Sequence, residues 1–151
     1  MLSFFSKKSL LSPSDNNRVV ESIRAAERQT SGEVRVFIES HNPLVSTIDR
    51  AKEIFVREQM HNTALRNGVL IYLAVKDKEV AVWGDEGIHQ MVGADYWQER
   101  VKEMLQLFKN NDIAGGLCSC IHKIGQVLTE KFPYQEGTDK NELSDDILFG
   151  Q

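Results

Sequence analysis

The segment from Gly68 to Gly87 constrains the fold more than any other part of the chain. Its first half, Val69 to Val75, is an almost unbroken apolar run, which indicates a strand covered on both faces. A polar turn follows, and residues 79–83 then alternate with a period of two. The pattern predicts a β-hairpin that leads into a loop with two carboxylates between two glycines. Such a loop lies at the mouth of a sheet, where α/β folds tend to place their sites.

Around this hairpin the sequence predicts one further strand and several helices. Ser12-Pro13-Ser14-Asp15 is typical of a capped helix start. The predicted elements are helix 12–29, strand 33–39, helix 47–60, hairpin 69–83, a short helical turn at 88–92, helix 94–109 and a last helix from 113 to about 132. A strand, a crossover helix and a strand form a parallel unit, to which the hairpin adds an antiparallel strand. We therefore expect an α/β fold, a three-layer α/β/α sandwich with a small mixed central sheet.

The length of 151 residues fits one domain with its own core. We expect an N-terminal leader over residues 1–11, which packs against the domain through Leu2, Phe4 and Phe5. The α/β/α domain covers residues 12–133. Residues 134–151 form an acidic, turn-rich tail that we expect to be mobile, with apolar residues 147–149 as candidates for docking, including on a partner.

Charge and cysteine usage narrow the classes of partner and compartment. The net charge is −4 and the basic residues form no stripe, so nucleic acid is not expected as a partner. No apolar run is long enough to span a bilayer, and the leader lacks the pattern of a signal peptide. Cys118 and Cys120 lie two apart in a predicted helix and point away from each other, so they neither pair nor share a metal. We expect a reducing compartment, the cytoplasm.

The acidic loop is the first candidate for chemistry. Asp85 and Glu86 offer hard oxygen ligands of the kind that Ca²⁺ and Mg²⁺ need, and the flanking glycines let a loop wrap an ion. Asn67 before the hairpin, and Asp95 and Asp112 at helix starts, are further candidate ligands. The alternative is structural: the two helix-start aspartates are explained as caps, and the loop as a solvated turn.

The sequence shows no pattern of a hydrolytic nucleophile. It has no Cys-x₅-Arg, no Asp-x-Asp after a strand, no Gly-x-Ser-x-Gly and no P-loop. Phosphate-ester cleavage would need a metal-activated water, with Arg66 or Arg35 binding the anion, unless both are ordinary surface charges. Among four scattered histidines, His89 is the one candidate general acid or base.

Three aromatic residues lie close to the acidic loop in sequence. They could line a pocket, but aromatics at strand ends and at helical spacing are more often part of the core, which is the reading we favour. They are Trp83, Tyr96 and Trp97.

Three stretches together resemble the TPM domain family, named for thylakoid-lumen, photosystem II repair and nematode acetylcholine-receptor auxiliary proteins. Residues 31–36 resemble its entry into the first strand, and residues 66–75 its Asn-Gly start to a very apolar strand. Residues 80–87, continuing to 112–117, are similar to its acidic, glycine-bearing start to the last helix. The resemblance covers about residues 12–133 and is to the short soluble bacterial branch.

The resemblance implies an α/β/α fold with a divalent metal, calcium in some members, held by loops at one end of the sheet. It also implies a link to membrane-protein repair or assembly, with a LemA-like membrane-associated protein as a plausible partner. The plant lumenal branch is credited with acid phosphatase activity. The chain departs from the exported pattern at Arg66, where an acidic residue is usual, and in the order Gly84-Asp85-Glu86-Gly87.

From these patterns we expect a TPM-like domain that binds Ca²⁺ or Mg²⁺ through loops at one edge of the sheet and acts as a non-enzymatic interaction module. A metal-dependent acid phosphatase is the alternative. The expected metal ligands are Asp85, Glu86, Asn67, Asp95 and Asp112.

Overall fold

The computed structural model of the protein describes residues 10–135 and 147–150. Four strands lie within them: β1 (Glu33–Glu39), β2 (Gly68–Ala74), β3 (Glu79–Gly84) and β4 (Leu148–Phe149). The helices are α1 (Pro13–Glu27), α2 (Thr47–Arg57), α3 (Glu86–Val92), α4 (Ala94–Phe108) and α5 (Ile113–Lys131). The predicted leader up to residue 9, and residues 136–146 and 151 of the predicted tail, lie outside the described residues.

The sheet is mixed, as predicted, with the strand order β3-β2-β1-β4. Strand β1 pairs in parallel with β2 from Glu33 opposite Gly68, while β2 and β3 form the antiparallel hairpin. Strand β4 pairs in parallel with β1, on the side of β1 that faces away from β2. The apolar residues 147–149 of the predicted tail therefore dock on the domain's own sheet, where Ile147 is buried.

Helices cover both faces of the sheet, which explains why every residue of β1 and β2 is buried. On one face α2 packs with its Ala51, Ile54 and Phe55 against the sheet. On the other face α1, α4 and α5 share a larger core with the odd-numbered apolar residues of β2, Val69, Ile71 and Leu73. The predicted three-layer α/β/α sandwich is confirmed.

The starts of α1 and α2 follow from local capping. Ser12 Oγ accepts the N–H of Asp15, and Ser46 Oγ accepts the N–H of Asp49. Each such cap typically stabilises a helix by about 1 kcal/mol. None of the helices among residues 10–135 is both long and apolar enough to cross a lipid bilayer.

A buried ionic cluster joins α2 to the sheet at the carboxyl ends of β1 and β2. Glu39 accepts two hydrogen bonds from Arg50, each 2.8 Å long, and a third from the hydroxyl of Tyr72 at 2.5 Å. The side chains of Glu39 and Arg50 are only 4% and 11% exposed. Burial, together with the bond to Glu39, raises the pKa of Tyr72, which keeps the hydroxyl a donor.

The acidic loop lies at the opposite end of the sheet. Because β3 runs antiparallel, its carboxyl end sits beside the amino ends of β1 and β2. The loop is thus remote from the carboxyl ends of the parallel strands, where open α/β sheets usually hold their ligands. On this point the analogy used to interpret the sequence was wrong.

Candidate functional site

The acidic loop is organised by an ion pair between Arg66 and Asp85. Hairpin pairing brings the two together, because the N–H of Asp85 donates to the carbonyl of Gly68 at 2.9 Å. Arg66 Nε and Nη2 donate to the two carboxylate oxygens of Asp85 at 2.7 and 2.8 Å. This two-bond geometry is the one that Arg and carboxylate groups match best. The Asp85 side chain is 5% exposed and also caps α3 through the N–H of Glu86.

Glu86 lies on the outer side of the same guanidinium. Its carboxylate is 3.7 Å from Arg66 Nη1 and is largely exposed. The N–H of Gly87 donates to the carbonyl of Arg66 at 2.9 Å, which holds the first turn of α3 against the preceding loop. Two of the predicted ligands, Asp85 and Glu86, thus converge on one cationic group of the protein itself.

Asn67 follows Arg66 in the chain and is buried. Its amide Nδ2 donates to Ser31 Oγ at 3.4 Å. Its Oδ1 atom is buried and has no hydrogen-bond partner within residues 10–135 and 147–150. An amide oxygen in that condition is uncommon and calls for a partner such as water or an ion.

Asp95 and Asp112 both lie at helix starts, but only Asp112 is the cap that the structural alternative expected; the N-cap of α4 is Gly93, with no side-chain capping bond. Asp95 lies in the first turn of α4 and is exposed. Asp112 caps α5, with its Oδ1 accepting the N–H of Gly115 at 2.9 Å. Across the part of the chain that the structure describes, no three His, Cys, Asp or Glu side chains converge as metal ligands would.

The residues around Asp85 fit a divalent cation only if Arg66 leaves. Calcium takes six to eight oxygen ligands, whereas both oxygens of Asp85 already accept N–H groups from Arg66 and α3. The unpartnered oxygen of Asn67 favours an ion nearby, and the guanidinium opposes one. In this arrangement the carboxylates of Asp85 and Glu86 face the Arg66 guanidinium and not a metal ion.

Next to this pair opens a groove of about 860 Å³ along strand β3, which we call the β3 groove. The whole of β3 except Glu79 contributes to it. Its walls are the helices α2 and α4, which contact β3 from the two faces of the sheet. The principal wall residues are Ile48, Lys52 and Val56 of α2 and Trp97, Gln98 and Val101 of α4.

One end of the β3 groove is polar. Arg66, Asp85 and Glu86 line it together with His61 and His89. The Trp97 indole N–H donates to Nδ1 of His89 at 3.0 Å, so a neutral His89 carries its proton on Nε2. His61 Nδ1 is buried and has no hydrogen-bond partner in the described part of the chain.

The sequence interpretation located part of this groove. It identified Trp83 and Trp97 as pocket or core residues and favoured the core. Trp97 belongs to the core and also lines the groove, and the half-buried Trp83 lines it too. The exposed apolar residues Ile48 and Val56 were missed as groove residues. Ile48, Lys52 and Val56 follow one another at intervals of four residues, which already places all three on one side of α2.

The cysteines have the structural role that the sequence predicted. Cys118 and Cys120 are both free thiols. Burial raises the pKa of Cys120 to about 12, which keeps its thiol protonated at neutral pH. A protonated thiol is a poor nucleophile, so Cys120 acts as a small core residue.

Comparison with known proteins places this geometry in context. A family model described as the TPM domain matches residues 5–127. The solution structure of the BA42 protein from the psychrophilic bacterium Bizionia argentinensis is similar, with 38% identity and a TM-score of 0.84 over 93% of this chain and 95% of that one. The N-terminal domain of the cg2496 protein from Corynebacterium glutamicum shares the fold at 12% identity, with a TM-score of 0.65 over 89% of this chain and 83% of that one. No curated protein sequence matches the chain.

Proposed function

The chain belongs to the TPM domain family, and from this premise we propose that it is a non-enzymatic binding domain whose ligand site is the β3 groove. One observation carries the proposal: the groove is an apolar cleft of about 860 Å³ with a few polar groups gathered at one end. Clefts of this size and lining are typical of ligand sites. The link to membrane-protein maintenance, and a LemA-like membrane-associated partner, remain predictions from the family resemblance.

The polar end of the groove supports binding better than catalysis. A nucleophile needs a base within hydrogen-bond reach and free to accept its proton. Here both oxygens of Asp85 accept N–H groups of Arg66, and Nδ1 of His89 accepts the indole N–H of Trp97. These groups orient one another and shape the end of the groove. Nδ1 of His61 has no partner in the described residues, but the hydroxyl of the groove lining, that of Thr47, donates to Glu79 and not to His61.

The two tryptophans of the chain both line the groove, so fluorescence reports its occupancy. We expect the apolar dye anilinonaphthalene sulfonate to bind saturably with energy transfer from tryptophan. The substitution Val56→Glu should weaken binding about fivefold or more, because it places a carboxylate on an apolar wall. The matched control is Val45→Glu, since Val45 is fully exposed just before α2 and lies outside the groove lining.

Dye binding that is equally strong in Val56→Glu and Val45→Glu would contradict the groove as the ligand site. Because Val56 is itself 55% exposed, the folded state should tolerate the charge. Circular dichroism of both variants checks that they remain folded. A second wall variant, Ile48→Glu, should behave like Val56→Glu.

A divalent cation at the Arg66–Asp85 pair is a second candidate function, bound in competition with the guanidinium. The convergence of Asp85 and Glu86 on one cation supports it, as does the unpartnered Oδ1 of Asn67. Calcium or magnesium would take Asp85 and Glu86 as charged ligands and Asn67 as a neutral one. Asp95 and Asp112 do not join them in a group of ligands in the described part of the chain.

Titration with CaCl₂ or MgCl₂, followed by amide NMR, tests this candidate. We expect millimolar metal to shift the amides of residues 84–87, and Arg66→Gln to tighten binding several-fold because Asp85 is then released. Asp85→Asn should abolish the response. Asp112→Asn is the matched control and should leave it unchanged, since Asp112 only caps α5. Silence in both the parent chain and Arg66→Gln would remove the cation.

The acid phosphatase alternative depends on the same cation. Hydrolysis of p-nitrophenyl phosphate at acid pH that requires Ca²⁺ or Mg²⁺ and disappears in Asp85→Ala and Glu86→Ala would favour it. Activity that is unchanged in both variants would come from another site or a contaminant.

A further inference from the structure

We propose that the β3 groove binds an extended peptide segment of a partner protein as a fifth strand of the sheet, with a carboxylate of that segment on Lys52. This inference deepens the binding role proposed above and rests on it. The open edge of β3, the two apolar walls and the charge of Lys52 each point to this class of ligand.

Strand β3 is an edge of the sheet as far as the described residues extend. The bond from the N–H of Asp85 to the carbonyl of Gly68 marks these two residues as a hydrogen-bonded pair. Such pairs alternate along an antiparallel ladder, so Trp83 also bonds to β2. The backbone N–H and C=O groups of Val80 and Val82 therefore point away from β2, into the groove.

The composition of β3 is unusual for a strand at the edge of a sheet. From Val80 to Gly84 it carries no charge and no proline, although edge strands are normally protected by such residues or by a cover. In this protein α2 and α4 stand on either side of the edge and leave the β3 groove open between them. The helices bar a large sheet from approaching but admit one extended segment.

The walls suit the alternating side chains of an added strand. One set would meet Ile48 and Val56 of α2, and the other set Trp97 and Val101 of α4. A peptide satisfies the outward backbone groups of β3, whereas an acyl chain would bury them without hydrogen-bond partners, which is unfavourable. The direction of these backbone groups, away from β2, therefore favours a peptide over a lipid.

The charge of the groove specifies the segment further. Arg66 is engaged by Asp85 and Glu86. Lys52 is the one lysine or arginine of the lining that has no ion pair within the described residues, and its ammonium lies 5.6 Å from the ring centre of Trp83. An aspartate or glutamate of the bound segment complements it, and an exposed pair of this kind contributes a modest part of the affinity.

The test uses the full chain and the acetylated, amidated hexapeptide Thr-Val-Asp-Val-Thr-Val, six residues to match the six of β3. Its valines share one face and its aspartate lies on the other. We expect saturable binding by tryptophan fluorescence, with the amide signals of Val80 and Val82 moving downfield as their hydrogen bonds form. Replacing the peptide's aspartate by asparagine should weaken binding about two- to fivefold.

Backbone methylation distinguishes strand addition from simple apolar contact. Two peptides are made, each N-methylated on one of the two alternating sets of amides. In an added strand only one set faces β3, so one methylated peptide should bind like the parent and the other at least about tenfold more weakly. A groove that merely holds apolar side chains would treat both alike, and that result would overturn the proposal.

Variants of the chain locate the carboxylate. Lys52→Gln should weaken the aspartate peptide and leave the asparagine peptide unchanged. Lys102→Gln, an exposed change on the wall helix α4 outside the groove lining, should affect neither. If Lys52→Gln binds each peptide as tightly as the parent chain does, the assignment of Lys52 is wrong.

Failure of this inference is distinguishable from failure of the proposed function. If the dye binds and responds to Val56→Glu while neither peptide binds, the groove stands as a ligand site and the added strand is wrong. Sedimentation of the chain alone tests whether a second copy fills the groove. A dimer that is lost in Val56→Glu would mean that it does. Displacement of the dye by dodecanoate, with no response to the peptides, would mean an acyl ligand.

Discussion

Replacing Arg50 with methionine is expected to destabilise the protein by about 3–5 kcal/mol, since removing one partner of a buried ion pair leaves the other charge uncompensated. Arg50 supplies two of the three hydrogen bonds that Glu39 accepts, and the Glu39 side chain is 4% exposed. After the change the hydroxyl of Tyr72 is the one donor left to that carboxylate among the described side chains. Urea denaturation, followed by tryptophan fluorescence, measures the loss as a lower midpoint at an unchanged slope.

Two further variants show whether the buried charge is the cause. Glu53 also pairs with Arg50 but is half exposed, so Glu53→Gln should change stability by at most about 0.5 kcal/mol. The double variant Glu39→Gln with Arg50→Met removes both charges and should recover much of the loss. A double variant as unstable as Arg50→Met would show that packing of the arginine stem matters more than its charge.

Replacing Gly87 with alanine is expected to destabilise the protein by about 2–3 kcal/mol, in the range of overpacked sites. A Cβ at this position would lie 2.2 Å from the carbonyl oxygen of Leu65 and 2.5 Å from that of Arg66. Both are backbone atoms, so the loop before β2 must move. That shift opposes the gain of about 1 kcal/mol that alanine brings to a helix over glycine.

The matched control for Gly87→Ala lies in the same helix. Gln90 is exposed on α3, so Gln90→Ala should be neutral or slightly stabilising. Because the loop carries Arg66, Gly87→Ala should also disturb the amide signals of residues 84–86. Unfolding at the midpoint of the parent chain would mean that α3 does not rest tightly on the loop.

The Arg66–Asp85 pair could have been derived from the hairpin. The four-residue turn at residues 75–78 sets Ala74 opposite Glu79. The same register continues to Gly68 opposite Asp85, whose N–H donates to the carbonyl of Gly68. Counting along both strands therefore brings Arg66, two residues before Gly68, close to Asp85. The sequence interpretation treated these residues separately, as an anion binder and a metal ligand, and did not count the register.

The β3 groove could not be predicted by counting residues along the strands. Its walls come from α2 and α4, which belong to opposite layers and are separated by the hairpin in sequence. Periodicity indicates which face of each helix is apolar, but the gap between two helices depends on how each packs on the sheet. Exposed Ile48 and Val56 on α2 were the available signal, and single exposed apolar residues are too common to identify a site.

By itself the sequence predicted the helices, the strands β1 to β3, their order and the three-layer sandwich, because apolar periodicity and capping residues act over a few neighbours along the chain. It also predicted that the cysteines are unpaired, whereas for Asp112 it left a helix cap and a metal ligand as alternatives. Only the tertiary structure decided that residues 147–149 join the sheet and that β3 lies at an edge of it within the described residues. Those outcomes depend on contacts between segments that are far apart in the sequence, and a local pattern does not specify such contacts.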